Sequence, residues 1–340
     1  MPENDDEAAE KKQAAAARCR ICGGGPLGEV GEVEFFVGYR WPVFDCAACG
    51  CRFTRHDPAA YETMYAQASS CYNRYVVSAD KCKVLFDRAD LAGLKTELSY
   101  SSRYRFIIDA VDGAPRDAKL LEIGCSRGHL TSYFVLQGRN VTGVDVSPTA
   151  VAAATAAFGD RFVTAGDPRI LARAPYDIIY HVGTIGCVAD PLGMTRELLG
   201  LLKAGGRLLF NAPNRACLNY PDQLWVESAP PPDLVTMFPP GFWRRQLSGI
   251  AQAHETIEYV SPEQNLELAL HRVTQRHWRP PSPMPLDESM RPHRPAAGAI
   301  GRFLSRLQRR ALRLAASAGL AGFLAPRPTE YGYFVELTKI

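Results

Sequence analysis

The stretch KLLEIGCSRGHL, residues 119–130, decides the fold class of this chain. Its first five residues form a short apolar run typical of a buried β-strand, with Glu122 as the one acid within it. Gly124 and Gly128 follow where the strand ends, and the missing Cβ of glycine lets a ligand approach the backbone closely. We expect a helix to begin near His129. The pattern therefore predicts a strand, a small-residue turn and a helix that together bind a nucleotide-sized ligand.

A second apolar run, VTGVDV (141–146), contains Asp145 near its end. It follows the glycine turn by about twenty residues, the position at which an acid binds a ribose diol in doubly wound sheets. Two helical patterns follow, AVAAATAAF (150–158) and RELLGLLKAGG (196–206). Further strand-like runs are RFVTAGD (161–167), YDIIYHV (176–182) and RLLFNAPN (207–214). Strands that alternate with helices predict an α/β fold with a parallel sheet and helices on both faces.

The ordered motifs EIGCSRG, GVDVSP, AGD, YDIIYHV and LKAGGRLLFNAPN resemble those of the class I S-adenosylmethionine-dependent methyltransferases, over about residues 100–215. The resemblance implies a Rossmann-like sheet with S-adenosyl-L-methionine as cofactor. It also implies that the turn cradles the methionine part, that Asp145 holds the ribose and that Asp167 bonds the adenine amino group. The predicted cofactor-binding residues are Glu122, Gly124, Cys125, Ser126, Gly128, Asp145, Val146, Asp167 and His181.

The chain departs from the family's pattern at several positions. Ser126 replaces the middle glycine of the usual Gly-x-Gly-x-Gly, and it keeps a small side chain while adding a hydroxyl. Gly186 and Cys187 stand where many relatives carry a Glu-His pair. Asp233 stands where relatives often carry the histidine of Pro-Pro-His-Leu. A mechanism that uses either of those histidines is therefore excluded here.

Methyl transfer is an in-line displacement from a sulfonium, which is already an excellent leaving group. The enzyme must mainly align the nucleophile and exclude water. A base is needed only if the nucleophile carries a proton. Our candidates are His181, which the resemblance places beside the methyl group, and then Tyr180, His129 and Asp233. The alternative for His181 is a side chain that packs against adenosine or caps a strand end.

Two CxxC pairs, Cys19 with Cys22 and Cys46 with Cys49, are separated by 23 intervening residues, and a glycine follows each pair. Such knuckles bind Zn²⁺ in a closed tetrahedral Cys₄ site. A closed site leaves no position for water, so the sequence predicts a structural zinc ion. Cys51 offers a second choice for the fourth ligand, but the repeated CxxCG pattern favours Cys49.

The sequence divides into six predicted segments. After Asn214 the chain loses clear periodicity, which is typical of a substrate lid. Ser101 or Ser102 is the expected N-cap of a helix that precedes the core. The segments are a disordered tail (1–17), a zinc-ribbon domain (18–56), a helical connector or cap (57–112), a cofactor-binding core (113–260), a proline-rich and basic amphipathic helical insertion (261–330) and a closing edge strand (331–340).

Composition limits the partners. A net charge of +3 is too small to indicate nucleic-acid binding. No apolar run reaches the length of a membrane span, and the first residues lack a signal-peptide pattern, so we expect a cytoplasmic protein with reduced thiols. The basic helix predicted over 299–318 is a candidate contact for an anionic membrane surface or an acidic protein. Packing on its own domain is the alternative.

A zinc ribbon, a tyrosine-rich connector and this core together resemble the zinc-bearing methyltransferases of secondary metabolism, including deoxysugar C-methyltransferases. The resemblance implies a small-molecule acceptor. One alternative is an RNA methyltransferase with a zinc ribbon, which the mixed charge of the ribbon disfavours. Another is a non-catalytic cofactor-binding interaction module. Carbon, oxygen and nitrogen all stay open as the methylated atom, as does the oligomeric state.

Overall fold

The computed structural model describes residues 18–61, 79–274, 277–286, 288, 310–312, 314–315, 317, 319 and 329–340. The predicted disordered tail (1–17) lies outside these residues. So do positions 62–78 of the predicted connector and most of the predicted basic helix (299–318). In the part of that helix that is described, Leu312 is buried and packs against Leu266. This contact fits the alternative in which the helix packs on its own domain.

Two sheets organise the described residues. The strands are β1 (Leu27–Phe36), β2 (Tyr39–Cys46), β3 (Arg52–Thr54), β4 (Lys119–Ile123), β5 (Asn140–Asp145), β6 (Phe162–Thr164), β7 (Tyr176–His181), β8 (Leu202–Pro213), β9 (Thr236–Met237), β10 (Ala251–Tyr259) and β11 (Glu330–Lys339). The helices are α1 (Pro58–Tyr61), α2 (Ala79–Asp87), α3 (Leu91–Leu98), α4 (Ser102–Asp112), α5 (His129–Leu136), α6 (Pro148–Phe158), α7 (Pro168–Ala172), α8 (Pro191–Leu201), α9 (Phe242–Gln246) and α10 (Pro262–Thr274).

The larger sheet has the order β10-β11-β8-β7-β4-β5-β6. Strands β4 to β8 pair in parallel, as the sequence predicts. Neighbouring side chains of β4 enter different apolar clusters, because Leu120 packs with α4 and α5 while Leu121 packs with α8 and α9. Both faces of the sheet are therefore covered by helices, as expected for a parallel sheet. The predicted Rossmann-like α/β architecture is confirmed.

The closing strand lies inside the sheet and not at its edge, so the prediction of an edge strand over 331–340 is wrong. Strand β11 pairs antiparallel with both β8 and β10. Tyr333, Val335 and Leu337 are fully buried on one face, while Phe334 stacks on Phe106 of α4 on the other, with ring centroids 4.7 Å apart. Two apolar faces are typical of an interior strand. The edge strand is β10, and its polar sequence, AQAHETIEY, does not indicate a strand.

The helix before β8 also differs from its predicted range of 196–206. It begins at Pro191, capped by Asp190, and it ends at Leu201. Gly205 and Gly206 therefore lie within β8, close to a register shift between β7 and β8. A Cβ at Gly206 would come within 2.9 Å of a backbone carbonyl oxygen. The double glycine thus serves an irregular strand and not a helix end.

The part of the connector that the structure describes is helical. The Ser101 side chain accepts a hydrogen bond from the backbone N–H of Tyr104, and it caps α4 as predicted. Helix α4 buries Ile107, Ile108 and Val111 against the sheet. This packing brings the amino end of α4 to the end of the sheet where β4 and β5 stop.

The ribbon forms a separate four-stranded sheet with the order β1-β2-β3-β9. Strand β9 comes from the irregular segment after Asn214, which the sequence predicts as a lid, and Phe53 of β3 pairs with Thr236 of β9. The ribbon and this segment therefore share one sheet. None of the helices described here has the length and apolar character to cross a membrane.

Candidate cofactor site and cysteine cluster

A cavity of about 2140 Å³ lies at the carboxyl ends of β4, β5 and β7. Its wall includes the turn after β4, the end of β5, the start of α4 and residues of β10 and β11. Small-molecule sites usually occupy roughly 300–1,000 Å³. The cavity therefore has room for two ligands side by side.

The turn after β4 forms the floor of the cavity. Gly124 and Ser126 both have a positive φ, of 73° and 49°. The N–H groups of Gly124 and Cys125 donate to the carbonyl oxygen of Val144, at 2.8 and 2.9 Å, so the turn is fixed to β5. Glycine is required at position 128 for packing, because a Cβ there would lie 2.6 Å from the ring of Phe162. Gly124, Cys125 and Ser126 line the cavity, and Gly128 permits close packing behind it.

Asp145 is held in place by two backbone donors. Its Oδ2 accepts a hydrogen bond from the N–H of Ser126 at 2.7 Å, and its Oδ1 accepts one from the N–H of Ser147 at 2.9 Å. These bonds fix the carboxylate at the cavity wall and leave its remaining lone pairs for a ligand. Val146 follows with 69% of its surface exposed, which gives a ligand an apolar surface to cover.

Glu122 is buried and lines the deep end of the cavity. The hydroxyl of Thr131 donates to its carboxylate, and the hydroxyl of Tyr180 does so at 3.4 Å. Burial raises the pKa of the Glu122 carboxyl to about 7, against the smaller opposing effect of these hydrogen bonds. Glu122 therefore changes its protonation state near neutral pH.

Asp167 is engaged elsewhere in this structure. Its carboxylate accepts hydrogen bonds from the backbone N–H of Arg169 at 2.8 Å and from the Arg169 guanidinium at 2.9 Å. The Arg169 side chain is the main reason that the pKa of Asp167 lies below its usual value. Among the described residues, Asp167 does not belong to the cavity wall. It caps α7 just beyond the end of β6.

His181 and Tyr180 lie in the core of the sheet and not on the cavity wall, which argues against their predicted catalytic roles. Side chains alternate along β7, so Tyr180 points to one face and His181 to the other. The His181 ring is fully buried and stacks on Phe210, with centroids 4.7 Å apart. Burial lowers the pKa of His181 to about 3 and raises that of Tyr180 well above its usual value. Because neither side chain lines the cavity, neither is placed to exchange a proton with a ligand there.

The other two candidate bases occupy different places. Asp233 lies in a turn, where its N–H donates to the carbonyl oxygen of Pro230 at 3.0 Å, and it is not among the described residues that line the cavity. His129 does line it, with only 6% of its surface exposed. Its Nε2 is buried without a hydrogen-bond partner among the described residues. Burial, with a smaller contribution from Arg127, lowers the pKa of His129 to about 4, so its ring is neutral at pH 7.

The cavity wall also contains residues that no sequence motif indicates. Glu258, at the end of β10, has 8% of its surface exposed and accepts a hydrogen bond from the Ser102 hydroxyl. Arg103 lies 3.6 Å from the same carboxylate, and its guanidinium lies over the Tyr331 ring at 5.0 Å. These residues belong to β10, β11 and the start of α4. Their proximity depends on a strand order that the sequence did not predict.

The four predicted metal ligands converge in the ribbon. The Sγ atoms of Cys19, Cys22, Cys46 and Cys49 all lie within 4.8 Å of one another. Cys19 and Cys49 are 3.9 Å apart, and Cys22 and Cys46 are 3.8 Å apart. A tetrahedron with Zn–S bonds of about 2.3 Å has edges of about 3.8 Å, so these sulfurs fit a zinc ion. Cys51 is buried next to the cluster but does not belong to it, and the choice of Cys49 is thereby supported.

Known proteins resemble this chain over the α/β core. Residues 99–273, just over half of the chain, match the methyltransferase domain family. Ubiquinone biosynthesis O-methyltransferase of Pseudomonas savastanoi pv. phaseolicola is 29% identical over 104 residues, which cover 28% of this chain and 45% of that protein. The protein with the same name from Xylella fastidiosa is 32% identical over 106 residues, which cover 29% of this chain and 43% of that protein. The chain thus spans about half the length of the curated relatives it matches.

Two solved structures are similar to this chain at low identity. Geranyl diphosphate C-methyltransferase from Streptomyces coelicolor is 14% identical, with a TM-score of 0.41 over 74% of this chain and 83% of that one. A SAM-dependent methyltransferase from Archaeoglobus fulgidus is 14% identical, with a TM-score of 0.39 over 69% of this chain and 92% of that one. The family match covers the turn, the parallel strands and most of the cavity wall, and the predicted methyltransferase core is confirmed. The chain belongs to the methyltransferase domain family.

Proposed function

We propose that this protein is an S-adenosylmethionine-dependent methyltransferase that acts on a small-molecule acceptor. The observation that carries the proposal is the Asp145 carboxylate, which two backbone N–H groups hold at the wall of a cavity with room for two ligands. A carboxylate fixed in this way accepts both hydroxyl protons of a ribose. Gly124, Cys125 and Ser126 would bind the methionine part, and Val146 would cover one side of the adenine.

Glu122 and Asp167 complete the proposed cofactor site. Glu122 closes the deep end of the cavity behind the turn, where its carboxylate can attract the cationic part of the cofactor. Asp167 would bond the adenine amino group once its carboxylate leaves Arg169. That exchange costs little, because the Arg169 side chain is exposed to solvent.

When bound, S-adenosylmethionine would supply an electrophilic methyl group on a sulfonium. The protein's own task is to bind the acceptor in line with that group and to exclude water. Where the acceptor's nucleophile carries a proton, we propose His129 to accept it. The ring is neutral at pH 7, and His129 is the one of the four candidate bases that lines the cavity among the described residues.

Three observations support a small molecule as the acceptor. The cavity is lined by polar side chains that can hydrogen-bond a small ligand, such as Ser102, Glu258 and Tyr331. Arg52 of the ribbon is largely buried and held by the Asp45 carboxylate, so it is not available to bind phosphates. The curated relatives are named for ubiquinone biosynthesis, which is also small-molecule chemistry. Secondary metabolism, a cytoplasmic location and a partner for residues 299–318 stay predictions.

We also propose that the four-cysteine cluster holds a structural zinc ion. The distances between the sulfurs fit the ion, and all four thiolates are needed to complete its coordination. The N–H groups of Ile21 and Gly24 lie 3.4 Å from the Sγ atoms of Cys19 and Cys22, where they stabilise thiolate charge. The ion would supply folding energy to the ribbon and take no part in methyl transfer.

The test of the proposed function is binding of S-adenosylhomocysteine, measured by isothermal titration calorimetry on the full chain. We expect Asp145→Ala to weaken binding about 10- to 100-fold, because hydrogen bonds to a charged group contribute roughly 1.5–3 kcal/mol. Asp160→Ala is the matched control, since this acid is solvent-exposed and lies outside the cavity wall. A wild-type protein that does not bind the ligand would contradict the proposal, as would an Asp145→Ala variant that binds equally well.

A further inference from the structure

Arg20 lies between two cysteines of the cluster, and its side chain leaves the ribbon. One guanidinium nitrogen donates to the carbonyl oxygens of Val188, at 3.4 Å, and Ala189. The other donates to the carbonyl oxygen of Val235, at 2.9 Å, and to the hydroxyl of Thr236. The guanidinium carbon lies 5.2 Å from the centre of the Phe53 ring, which supports it from the ribbon side. One side chain therefore connects the cluster to two segments that are distant in sequence.

The first of these two segments lies on the cavity wall, and the second is hydrogen-bonded to it. Cys187, Val188 and Ala189 line the cavity just after β7. The N–H groups of Val235 and Thr236 both donate to the carbonyl oxygen of Gly186, at 2.8 and 3.1 Å.

Gly186 allows this close approach. A Cβ at this position would come within 2.5 Å of the Leu234 side chain. The departure from the family's Glu-His pair at Gly186 and Cys187 is thus matched by a contact with the 234–236 segment. We call this junction of residues 186–189 and 234–236 the seam.

Other contacts also attach the ribbon to the wall. Arg52 donates from Nε and Nη2 to the two carboxylate oxygens of Asp45, and from Nη1 to the carbonyl oxygen of Gln223, each at 2.8 Å. Arg215 donates to the carbonyl oxygen of Gly50 and to Asp45, each at 2.7 Å. These contacts lie away from the seam. Arg20 is the side chain that reaches the seam from between two cluster cysteines.

We infer that Arg20 is a positioning residue that couples the cysteine cluster to the cavity wall at residues 187–189, which we call the acceptor side because none of the proposed cofactor-binding residues belongs to it. Calling this side the acceptor side rests on the proposed function. Cys19 and Cys22 fix the backbone on either side of Arg20 when they bind a common ion. The planar guanidinium then supplies several donors at fixed angles, which the single ammonium of lysine cannot reproduce. Loss of the ion would free the Arg20 backbone, and the seam would lose its shared donor.

The experiment is hydrogen–deuterium exchange with mass spectrometry on the full, metal-loaded chain. We expect Arg20→Ala to raise the exchange rates of the Val235 and Thr236 amides about tenfold or more, while the turn at 124–128 stays unchanged. Arg20→Lys should leave most of this increase in place. Arg40→Ala is the matched control, because Arg40 belongs to the same ribbon and pairs only with Glu34 and Glu32 in the contacts described. The metal content of all variants should equal that of the wild type.

Metal removal with a chelator separates two routes from the cluster to the seam. In the wild type, we expect metal removal to raise the exchange rates of the seam amides. In Arg20→Ala these rates are already raised, and we expect metal removal to increase them less than twofold further. Equal increases in both proteins would overturn the inference, because the pairing of β3 with β9 would then carry the coupling. Seam exchange in Arg20→Ala within twofold of Arg40→Ala would overturn it as well.

Ligand binding separates this inference from the proposed function. Arg20 lies away from the proposed cofactor-binding residues, so Arg20→Ala should bind S-adenosylhomocysteine within about threefold of the wild type. A wild-type protein that fails to bind this ligand would contradict the proposed function but would not affect the hydrogen–deuterium exchange result for Arg20. A large loss of affinity in Arg20→Ala would overturn a role confined to the acceptor side.

Discussion

The cysteine cluster and the proposed cofactor site, called the cleft below, are both built from tight turns that contain glycine, but they hold their ligands by different means. In the cluster, four side-chain sulfurs point to one centre and lie within 4.8 Å of one another. In the cleft, the turn at 124–126 offers mainly backbone, and the Asp145 carboxylate is fixed by backbone N–H groups. The cluster is thus specified by the identity of its residues, whereas the cleft is specified by backbone conformation. A sequence pattern identifies the ligand of the first kind of site more directly.

The largest effect is expected from breaking the cluster. Cys22→Ser removes one of four thiolates, and we expect it to lose the bound metal and to lower the unfolding temperature by roughly 10 °C or more. Metal content by mass spectrometry and thermal unfolding measure the two effects. Cys51→Ser is the control, because Cys51 is buried in the same ribbon but lies outside the cluster, so this variant should retain the metal. Metal retained by Cys22→Ser, or lost by Cys51→Ser, would contradict the assignment.

In the cleft, the strongest prediction concerns Glu122 and pH. Its folded-state pKa of about 7 lies above the usual value of 4.5, so the folded chain keeps a proton that the unfolded chain releases between these values. The free energy of unfolding should therefore fall by up to about 3 kcal/mol as pH rises from 4.5 to 7. Glu122→Gln removes this contribution.

The measurement is urea unfolding of both proteins without cofactor, near the two ends of this pH range. The depressed pKa values of His129 and His181 act in the opposite direction, since the unfolded chain binds their protons first as pH falls. They are present in both proteins and cancel when the two are compared. A difference between wild type and Glu122→Gln that does not change with pH would show that Glu122 is ionised normally.

A smaller effect is expected at Asp167, which lies outside the cavity wall and is paired with Arg169. Asp167→Ala should weaken S-adenosylhomocysteine binding by about threefold, because the ligand must first displace Arg169 from the carboxylate. Arg169→Ala should strengthen binding by a similar factor, since it frees Asp167. Calorimetric titrations of both variants test the pair. Two changes in the same direction would contradict a role for Asp167 in adenine binding.

The smallest effect is expected at His181. His181→Phe keeps an aromatic ring against Phe210 and removes two buried nitrogens that have no partner among the described residues. We expect unchanged or slightly higher stability, and S-adenosylhomocysteine affinity within about twofold of the wild type. Thermal unfolding and calorimetry provide the readouts. A clear loss of affinity would restore His181 to the cofactor site and would show that the cleft extends through the sheet.

Features that depend on residue type and local spacing were predictable. The apolar run of β4, the Ser101 cap and the four converging cysteines follow from the physical chemistry of neighbouring residues. The position of Asp145 at the cavity also followed from its distance to the glycine turn.

Features that depend on tertiary context were not predictable. Strand β9 has two residues and exists because β3 offers a partner edge. The wrong orientation for His181 arose because a residue at a strand end points to either face, and only the neighbouring strands decide which face. Glu258 and Arg103 meet because β10 and β11 pair next to α4, and no local signal encodes that pairing.

The interior position of β11 has a consequence for how the chain reaches its native state. Strand β11 follows every other described strand in the sequence. It is therefore synthesised only after its two neighbours in the sheet, β8 and β10. Until then both neighbours present unpaired backbone edges, which are templates for aggregation. A fragment that stops before Glu330 would keep the cysteine cluster and most of the cavity, but the edges of β8 and β10 would stay unpaired. We therefore expect that shortening the chain from its carboxyl end lowers its solubility more than it weakens ligand binding.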